Sequence, residues 1–350
     1  MRMFSGLLFI SAAATAADAL KVTILGDTNR DGVVDMTGDS DLAGKEIWTN
    51  GRGALFLANI GDTNSSCSQS INEDTPAHQI DQCHDASGEI QKNPKYLAPL
   101  RTTPISDLTA SARGRVFVSG PHASGKVRIF HDRGHGQWAY VNEVYEFGPQ
   151  DLRPGLVLGI DARDVRRPDG WDGRVVVHFN VTDNGETASD RIALRVAPVL
   201  THHPVQRPDQ VFTADTIDGP QIGPQMHFVN EIRGFSKEAG VEKPVVVMKT
   251  KGDVWVQDFF EPGYTSIPGP DGPVYLRIMI RSRQNGRSAG REVFATLRSD
   301  TVGGVQHMGN SSAETIDFDS GESLGNLETI PPYSHNGQHF PAGRCVMGRH

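Results

Sequence analysis

Residues 174–196 decide the fold class of the central region and read RVVVHFNVTDNGETASDRIALRV. The β-rich runs Arg174–Phe179 and Arg191–Val196 flank the turn residues Asp183-Asn184-Gly185, a pattern typical of strands joined by a turn. Similar runs precede them at residues 115–118, 126–130 and 156–160. Short strands at regular spacing predict an immunoglobulin-like antiparallel β-sandwich, which we place at residues 110–200.

Upstream, residues 20–109 are acidic and rich in turns, with short strands expected at 21–25 and 53–58. Their most specific motif is Asp27-Thr28-Asn29-Arg30-Asp31-Gly32-Val33-Val34-Asp35, which places oxygen-bearing side chains at relative positions 1, 3, 5 and 9 and glycine at 6. That arrangement suits Ca²⁺. Gly38 stands where an EF-hand has glutamate, so Asp39 or Asp41 would complete a loop of another type. The alternative is a solvated acidic turn.

A second acidic stretch has no regular spacing. It could bind further calcium or form a solvated loop, because this density of like charge disfavours a compact state unless it is neutralised. The candidate calcium ligands in this stretch are Asn59, Asp62, Asn64, Asp74, Asp81 and Asp85.

The N-terminal residues 1–19 have the composition of an export signal. Arg2 precedes the apolar run Leu7–Ile10, and small residues lead to Ala19. The apolar run is too short to span a bilayer, and no later stretch is long enough. We therefore expect a secreted protein without a membrane span, with a cytoplasmic location as the alternative if the leader is not processed.

Cysteine content and net charge limit the functional classes to which the protein can belong. In an oxidising compartment Cys67 and Cys83 could form a disulfide, which leaves Cys345, a residue that its apolar neighbours mark as a buried strand cysteine. The chain has 34 Lys and Arg against 42 Asp and Glu, a formal charge of −8. Without a basic cluster, binding to nucleic acid is excluded as a general function.

Beyond residue 200 the pattern changes to α/β. After a linker at residues 201–208, five apolar residues recur at helical spacing, and Gly240 offers a stop. A buried strand at 244–248 follows, and a helix followed by such a strand indicates an α/β unit. The five apolar residues of the predicted helix are Phe228, Val229, Ile232, Phe235 and Ala239.

Directly after this strand stands Gly252-Asp253-Val254-Trp255-Val256-Gln257-Asp258, followed by Gly263-Tyr264. The string resembles the signature of the protein-arginine deiminase family. The resemblance continues in Leu324-Gly325-Asn326-Leu327-Glu328 and in residues 337–344, GQHFPAGR, and it also includes the calcium-type loop. It implies that residues 201–350 are the N-terminal part of an α/β-propeller catalytic domain.

The resemblance also implies site residues. Asp258 matches the carboxylate that grips the substrate guanidinium, and Trp255 matches an aromatic wall beside it. Arg281 or Arg283 resembles the arginine that holds the substrate backbone. An active-site calcium would be held by the side chains of Gln257, Glu261 and Glu328 and by the carbonyls of Leu324 and Leu327. Phe259 replaces an acidic residue of vertebrate relatives, so a second calcium in this domain is not expected.

By this resemblance the protein converts arginine in proteins or peptides to citrulline and releases ammonia, dependent on calcium. The family histidine, second aspartate and cysteine nucleophile lie further downstream, and neither Cys345 nor His350 matches them. We therefore expect a chain truncated within the catalytic domain and inactive alone, with homodimerisation left open. The alternative is a non-enzymatic, calcium-stabilised secreted binding module.

Overall fold

A computed structural model describes residues 19–72, 74–167, 170–201, 208–220, 222–281 and 289–306, together with the backbone of 329–330. Its strands and α-helices are β1 (Ile24–Gly26), β2 (Ala54–Phe56), α1 (Ala77–Gln82), β3 (Ala98–Thr102), β4 (Arg113–Ser119), β5 (Val127–Asp132), β6 (Trp138–Tyr140), α2 (Pro149–Leu152), β7 (Val157–Ala162), β8 (Arg174–Asp183), β9 (Glu186–Val196), β10 (Val199–Thr201), β11 (Phe212–Thr216), α3 (Ile222–Glu238), β12 (Val246–Thr250), β13 (Phe260–Ile267), β14 (Val274–Arg281), α4 (Ala289–Leu297), β15 (Val302–Gln306) and β16 (Thr329–Ile330).

The β8–β9 hairpin confirms the pattern of residues 174–196. Asp183 pairs with Glu186, and the two turn residues Asn184 and Gly185 have φ angles of 49° and 84°. Positive φ at both positions is the requirement of a type I′ turn, which Asn-Gly meets at low cost. Alternate side chains of β8, from Val175 to Val181, are buried, so one face of the hairpin points into the core.

Two sheets pack around one apolar core. Their strand orders are β1-β3-β7-β5-β6 and β2-β9-β8-β4. Leu100 and Ile160 of the first sheet and Phe179 and Leu194 of the second are all less than 2% exposed and belong to the same cluster. Strands β1, β2 and β3 come from residues 20–109, so this segment completes both sheets. The β-rich class is confirmed, and the immunoglobulin-like assignment stays a prediction.

The downstream residues add the α/β part. Strands β11 and β12 are parallel and are connected through α3, which confirms the α/β unit. A mixed sheet of order β15-β14-β13-β10-β16 follows, and α4 packs against β12 and β14. The fold is therefore mixed β and α/β, as predicted. The propeller stays a prediction.

Helix α3 forms where the apolar spacing predicts it. Gly240 has a φ of 72° and the backbone N–H of Val241 bonds to the carbonyl of Ser236, a glycine-type C-terminal cap. Its apolar residues are not all buried, however: Phe228 and Phe235 are 47% and 60% exposed. Spacing predicted the helix correctly. Among the helices that the structure describes, none is long and apolar enough to cross a bilayer.

A disulfide closes a loop within the N-terminal segment. Cys67 and Cys83 are bonded, as predicted. By the loop-entropy model, closing a loop of this size stabilises the fold by about 3 kcal/mol. Arg298, next to α4, is buried and donates hydrogen bonds to the carbonyls of Ile80 and Cys83. Burial lowers the pKa of Arg298 to about 10. The disulfide-closed loop therefore binds the guanidinium of Arg298, which lies more than 200 positions downstream.

Buried His84 makes stability depend on pH. Burial, and next the charge of Arg298, lower the pKa of His84 to about 3, while its Nδ1 accepts a hydrogen bond from the backbone N–H of Ala86. Because the unfolded state binds this proton near pH 6.5 and the folded state does not, stability is retained above pH 6.5 and falls as pH drops towards 3. The slope contributed is up to about 1.4 kcal/mol per pH unit.

His84→Asn is expected to reduce this slope between pH 6.5 and 4, measured by urea denaturation at several pH values. The exposed residue His135 provides the matched control, since His135→Asn changes a histidine that is not buried. Equal slopes in wild type and His84→Asn would contradict the assignment.

Candidate functional site

The segment after β12 forms a tight polar turn at the carboxyl ends of the parallel strands β11 and β12. Gly252 has a φ of 74°, and its backbone N–H bonds to the hydroxyl of Thr216 at 2.8 Å. The carboxylate of Asp253 accepts the backbone N–H of Trp255 at 3.2 Å. A 3₁₀ turn then runs from Val256 to Asp258. Carboxyl ends of parallel strands are where α/β proteins place functional groups.

Trp255 stands at the mouth of a cleft of about 480 Å³ between this turn and α3. Its side chain is 63% exposed. Asp258 is half-buried at the end of the 3₁₀ turn that follows Trp255, and it already interacts with other groups of the protein. The cleft can take the aliphatic part of a long side chain, and Asp258 follows the lining residue Gln257 without lining the cleft itself. The lining residues are Val211, Phe212, Thr213, Gln225, Phe228, Ile232, Gly252, Val254, Trp255, Val256 and Gln257.

Gln257 and Glu261 offer oxygen atoms for a cation. Neither side chain has a hydrogen-bond or ion-pair partner among the described residues. Burial raises the pKa of the Glu261 carboxyl, which marks a carboxylate without a compensating positive charge. A calcium ion would supply that charge, so these two residues fit the predicted ion. Its other predicted ligands, Leu324, Leu327 and Glu328, lie outside the described residues.

Of the two candidate substrate-holding arginines, only Arg281 is described, and unlike Trp255 it is buried. Arg281 ends β14 opposite Phe260 and is 1% exposed, with its side chain beside Gly290 of α4. In this conformation its guanidinium does not reach solvent. Arg283 lies outside the described residues. The substrate-holding role stays a prediction for both.

In the calcium-type loop, Asp27, Asn29 and Asp31 come together. The backbone N–H of Asp31 bonds to Oδ1 of Asp27 and to Oδ1 of Asn29, both at 3.0 Å. Burial, with the charges of Asp41 and Asp31, raises the pKa of the Asp27 carboxyl against the opposing effect of two backbone hydrogen bonds. Extra positive charge here would relieve this repulsion. These three residues fit a cation bound from one turn.

The other predicted ligands of this loop are used differently. Asp41, which is fully buried, accepts the backbone N–H groups of Thr28 and Asp35, both at 2.7 Å, and so shapes the loop. The Asp35 carboxylate accepts bonds within its own turn, from Thr37 first, and these lower its pKa to about 2. Asp39 is exposed. Within the described ranges, no three His, Cys, Asp or Glu side chains are grouped to hold a metal ion.

The second acidic stretch is neutralised mainly by protein donors. Burial raises the pKa of Asp62, but hydrogen bonds from Ser68 and Cys67 lower it overall. Asp81 pairs with Arg167 at 3.1 Å. Asp85 accepts the backbone N–H and hydroxyl of Thr63. Calcium binding by these residues stays a prediction.

The amide and exposed members of this stretch complete the description. Asn59 is buried and donates to Asp161 at 2.9 Å, while its Oδ1 atom has no hydrogen-bond partner. Asn64 and Asp74 are exposed, and Asn64 has a φ of 61°. The six residues therefore do not form one cluster of free oxygen ligands.

A sequence model of the protein-arginine deiminase family matches residues 186–350, which include the whole Gly252–Asp258 segment. This segment belongs to the protein-arginine deiminase family. Human (Homo sapiens) protein-arginine deiminase type-3 is 23% identical over 335 residues, covering 89% of this chain and 46% of the relative. The rat (Rattus norvegicus) type-3 and type-4 proteins are each 28% identical, over 187 and 163 residues, and cover 51% and 45% of this chain.

The chain spans less than half the length of these curated relatives. It corresponds to 46% of the human type-3 protein and to 26% and 22% of the rat type-3 and type-4 proteins.

Sequence reasoning missed two residues that line the cleft beside Trp255. Phe228 and Ile232 line it from α3, whereas their spacing had served only to predict a helix. No signal in the sequence distinguishes a helical face that packs against a core from one that borders a cleft, because both need the same apolar period.

Proposed function

We propose that these residues form part of a calcium-dependent protein-arginine deiminase, a hydrolase that converts peptidyl-arginine to peptidyl-citrulline. The observation that carries the proposal is the placement of Asp258. It is the last residue of a 3₁₀ turn at the carboxyl end of an α/β unit, and the two preceding residues of that turn, Val256 and Gln257, line a cleft with apolar walls. A second candidate, a binding module without enzymatic activity, becomes an outcome of the test.

Asp258 would recognise the substrate guanidinium. A carboxylate accepts two parallel N–H bonds from a planar guanidinium, which fixes the position and plane of the carbon to be attacked. The exposed Trp255 ring would lie against the cation or its aliphatic chain. Phe228 and Ile232 would keep water from the methylene groups. These residues bind and orient the substrate.

The reaction breaks one C–N bond of the guanidinium and releases ammonia, and water supplies the oxygen of citrulline. It needs a nucleophile, for which the family resemblance implies a cysteine thiolate. Among the described residues, Cys67 and Cys83 are joined in a disulfide and offer no thiol. We therefore assign the described residues to substrate binding and leave bond breaking to groups outside them.

Calcium would bind at two places. Gln257 and Glu261 would hold one ion next to Asp258, and Asp27, Asn29 and Asp31 would hold another in the N-terminal loop. When bound, the ion supplies positive charge that neutralises carboxylates and couples ligand binding to local order.

We also propose that the protein is exported. The apolar N-terminal leader supports this, and so does the Cys67–Cys83 disulfide, since structural disulfides persist mainly in oxidising compartments.

The test is citrulline formation on an arginine-containing peptide, with calcium and with a chelator. The assay is applied to this chain and to the protein encoded by the natural reading frame up to its stop codon. We expect the protein encoded by the whole reading frame to form citrulline in a calcium-dependent way. If neither protein forms citrulline but the chain binds arginine peptides, the binding-module reading replaces the enzyme. No citrulline and no arginine binding would overturn both.

A further inference from the structure

Two adjoining clefts form a groove on the molecule away from Asp258. The first, of about 410 Å³, is lined by the calcium-type loop, β3, β7, Trp138 and the turn after β13. The second, of about 370 Å³, lies between Tyr96 and β14. Both clefts are lined by Lys95 and Val274. We call them together the Lys95 groove.

The walls of the Lys95 groove are mainly apolar and rigid. Val33, Trp138, Pro268 and Pro270 line the first cleft, and Pro273 and Tyr275 line the second. Val33 and Tyr275 are each 53% exposed. Such surfaces are suited to the apolar side chains of an extended peptide, because proline and aromatic side chains lose little conformational entropy when they are covered.

The charges that line the Lys95 groove are positive. Its described lining contains Lys95, Arg101 and Arg277 and no carboxylate. Arg277 is neutralised by Asp209 at 2.9 Å. The Lys95 ammonium lies 4.7 Å from the centre of the Tyr96 ring and has no carboxylate within ion-pair distance among the described residues.

Arg101 is the second available cation of the groove. It donates to the carbonyls of Leu100 and Leu158, and Asp132 acts on it only at longer range, without an ion pair. The protein has a formal charge of −8, so as a whole it repels an acidic segment. Lys95 and Arg101 make this groove a surface that attracts such a segment electrostatically.

We propose that the Lys95 groove binds an acidic, apolar segment of the polypeptide substrate, at a distance from the arginine to be modified. Carboxylates of that segment pair with Lys95 and Arg101, and its apolar side chains cover Trp138 and Val33. This rests on the proposed function and narrows its substrate class.

The β13–β14 hairpin sets the spacing that such a substrate needs. Phe260 and Arg281 pair at the end next to Asp258, and Ile267 and Val274 pair at the end next to the groove. The seven residue steps between these ends correspond to about 24 Å of strand. A substrate that reaches both places therefore has its acidic segment at least about seven extended residues from the arginine.

The test uses a fluorescein-labelled peptide of glutamate, leucine and proline that contains no arginine. Its binding to the full 350-residue chain is followed by fluorescence anisotropy. Lys95→Glu is expected to weaken binding at least tenfold, and Lys21→Glu, the same change at another exposed lysine, less than twofold. Val33→Ser, at an exposed wall residue, is expected to weaken binding without reversing charge. A peptide with lysine in place of glutamate is expected not to bind.

Equal binding to wild type and Lys95→Glu, or equal binding of the lysine peptide, would overturn the proposal. So would dimerisation in sedimentation that Lys95→Glu abolishes, because a second copy would then be the occupant. Since the probe lacks arginine, Asp258→Asn is expected to bind it normally. If the probe binds but neither protein of the preceding test forms citrulline, the proposed function is wrong and the proposed binding of an acidic segment in the Lys95 groove still holds.

Discussion

Asp258→Asn is expected to reduce the affinity of the chain for an arginine-containing peptide by roughly 30- to 150-fold. The change keeps the size of the side chain but removes its charge and replaces one acceptor with a donor. Losing charge-assisted hydrogen bonds to a guanidinium costs about 2 to 3 kcal/mol. Calorimetry in calcium, comparing the arginine peptide with the same peptide carrying citrulline, measures the loss.

Asp107→Asn is the control for Asp258→Asn. Asp107 is exposed and lies in residues 20–109, away from the α/β unit that carries Asp258. It is expected to leave the preference for arginine over citrulline unchanged. A wild-type chain that does not distinguish the two peptides, or an Asp258→Asn chain that still does, would contradict the role of Asp258.

Asp161→Ala is expected to destabilise the fold by about 3 to 5 kcal/mol, because it leaves a buried guanidinium without its counter-charge. Arg128 and Asp161 are both completely buried and pair through two bonds, from Nε at 2.9 Å and from Nη2 at 2.6 Å. Arg128 also donates to the carbonyl of Gly88 at 2.9 Å. Urea denaturation at pH 7 measures the change in the free energy of unfolding.

Two comparisons make the Asp161 result specific. Glu46 pairs with Arg191 at 2.7 Å at the surface, with both side chains about half exposed, so Glu46→Ala is expected to cost less than about 1 kcal/mol. Replacing Arg128 by methionine and Asp161 by leucine together is expected to recover most of the stability, since no charge is then left buried. Equal losses for Asp161→Ala and Glu46→Ala would contradict the importance of burial.

Local signals in the sequence predicted local structure well. The Asn184-Gly185 turn, the strands beside it, the α3 stop at Gly240 and the Cys67–Cys83 disulfide were all predicted, because each depends on neighbouring residues or on one short loop. The family motif at Gly252–Asp258 directly follows strand β12, and the strand expected before it is therefore confirmed.

Long-range partners could not be predicted in the same way. The carboxylates of Asp62, Asp81 and Asp85 suggested calcium, but hydrogen bonds and ion pairs within the protein now occupy them. Spacing along the chain does not show that Arg167, 86 residues after Asp81, lies beside it. The burial of Arg281 depends likewise on α4, which follows it in the chain.

Strand β2 constrains the order in which the chain can fold. It pairs in parallel with β9, about 140 residues later, and in β1 the backbone N–H of Ile24 donates a hydrogen bond to the carboxylate of Asp190. Strand β2 therefore cannot find its partner until the ribosome has released residues 186–196, whereas β1 can pair with β3 earlier. Contacts of such separation form slowly, so the early acidic segment remains exposed to chaperones and proteases until then.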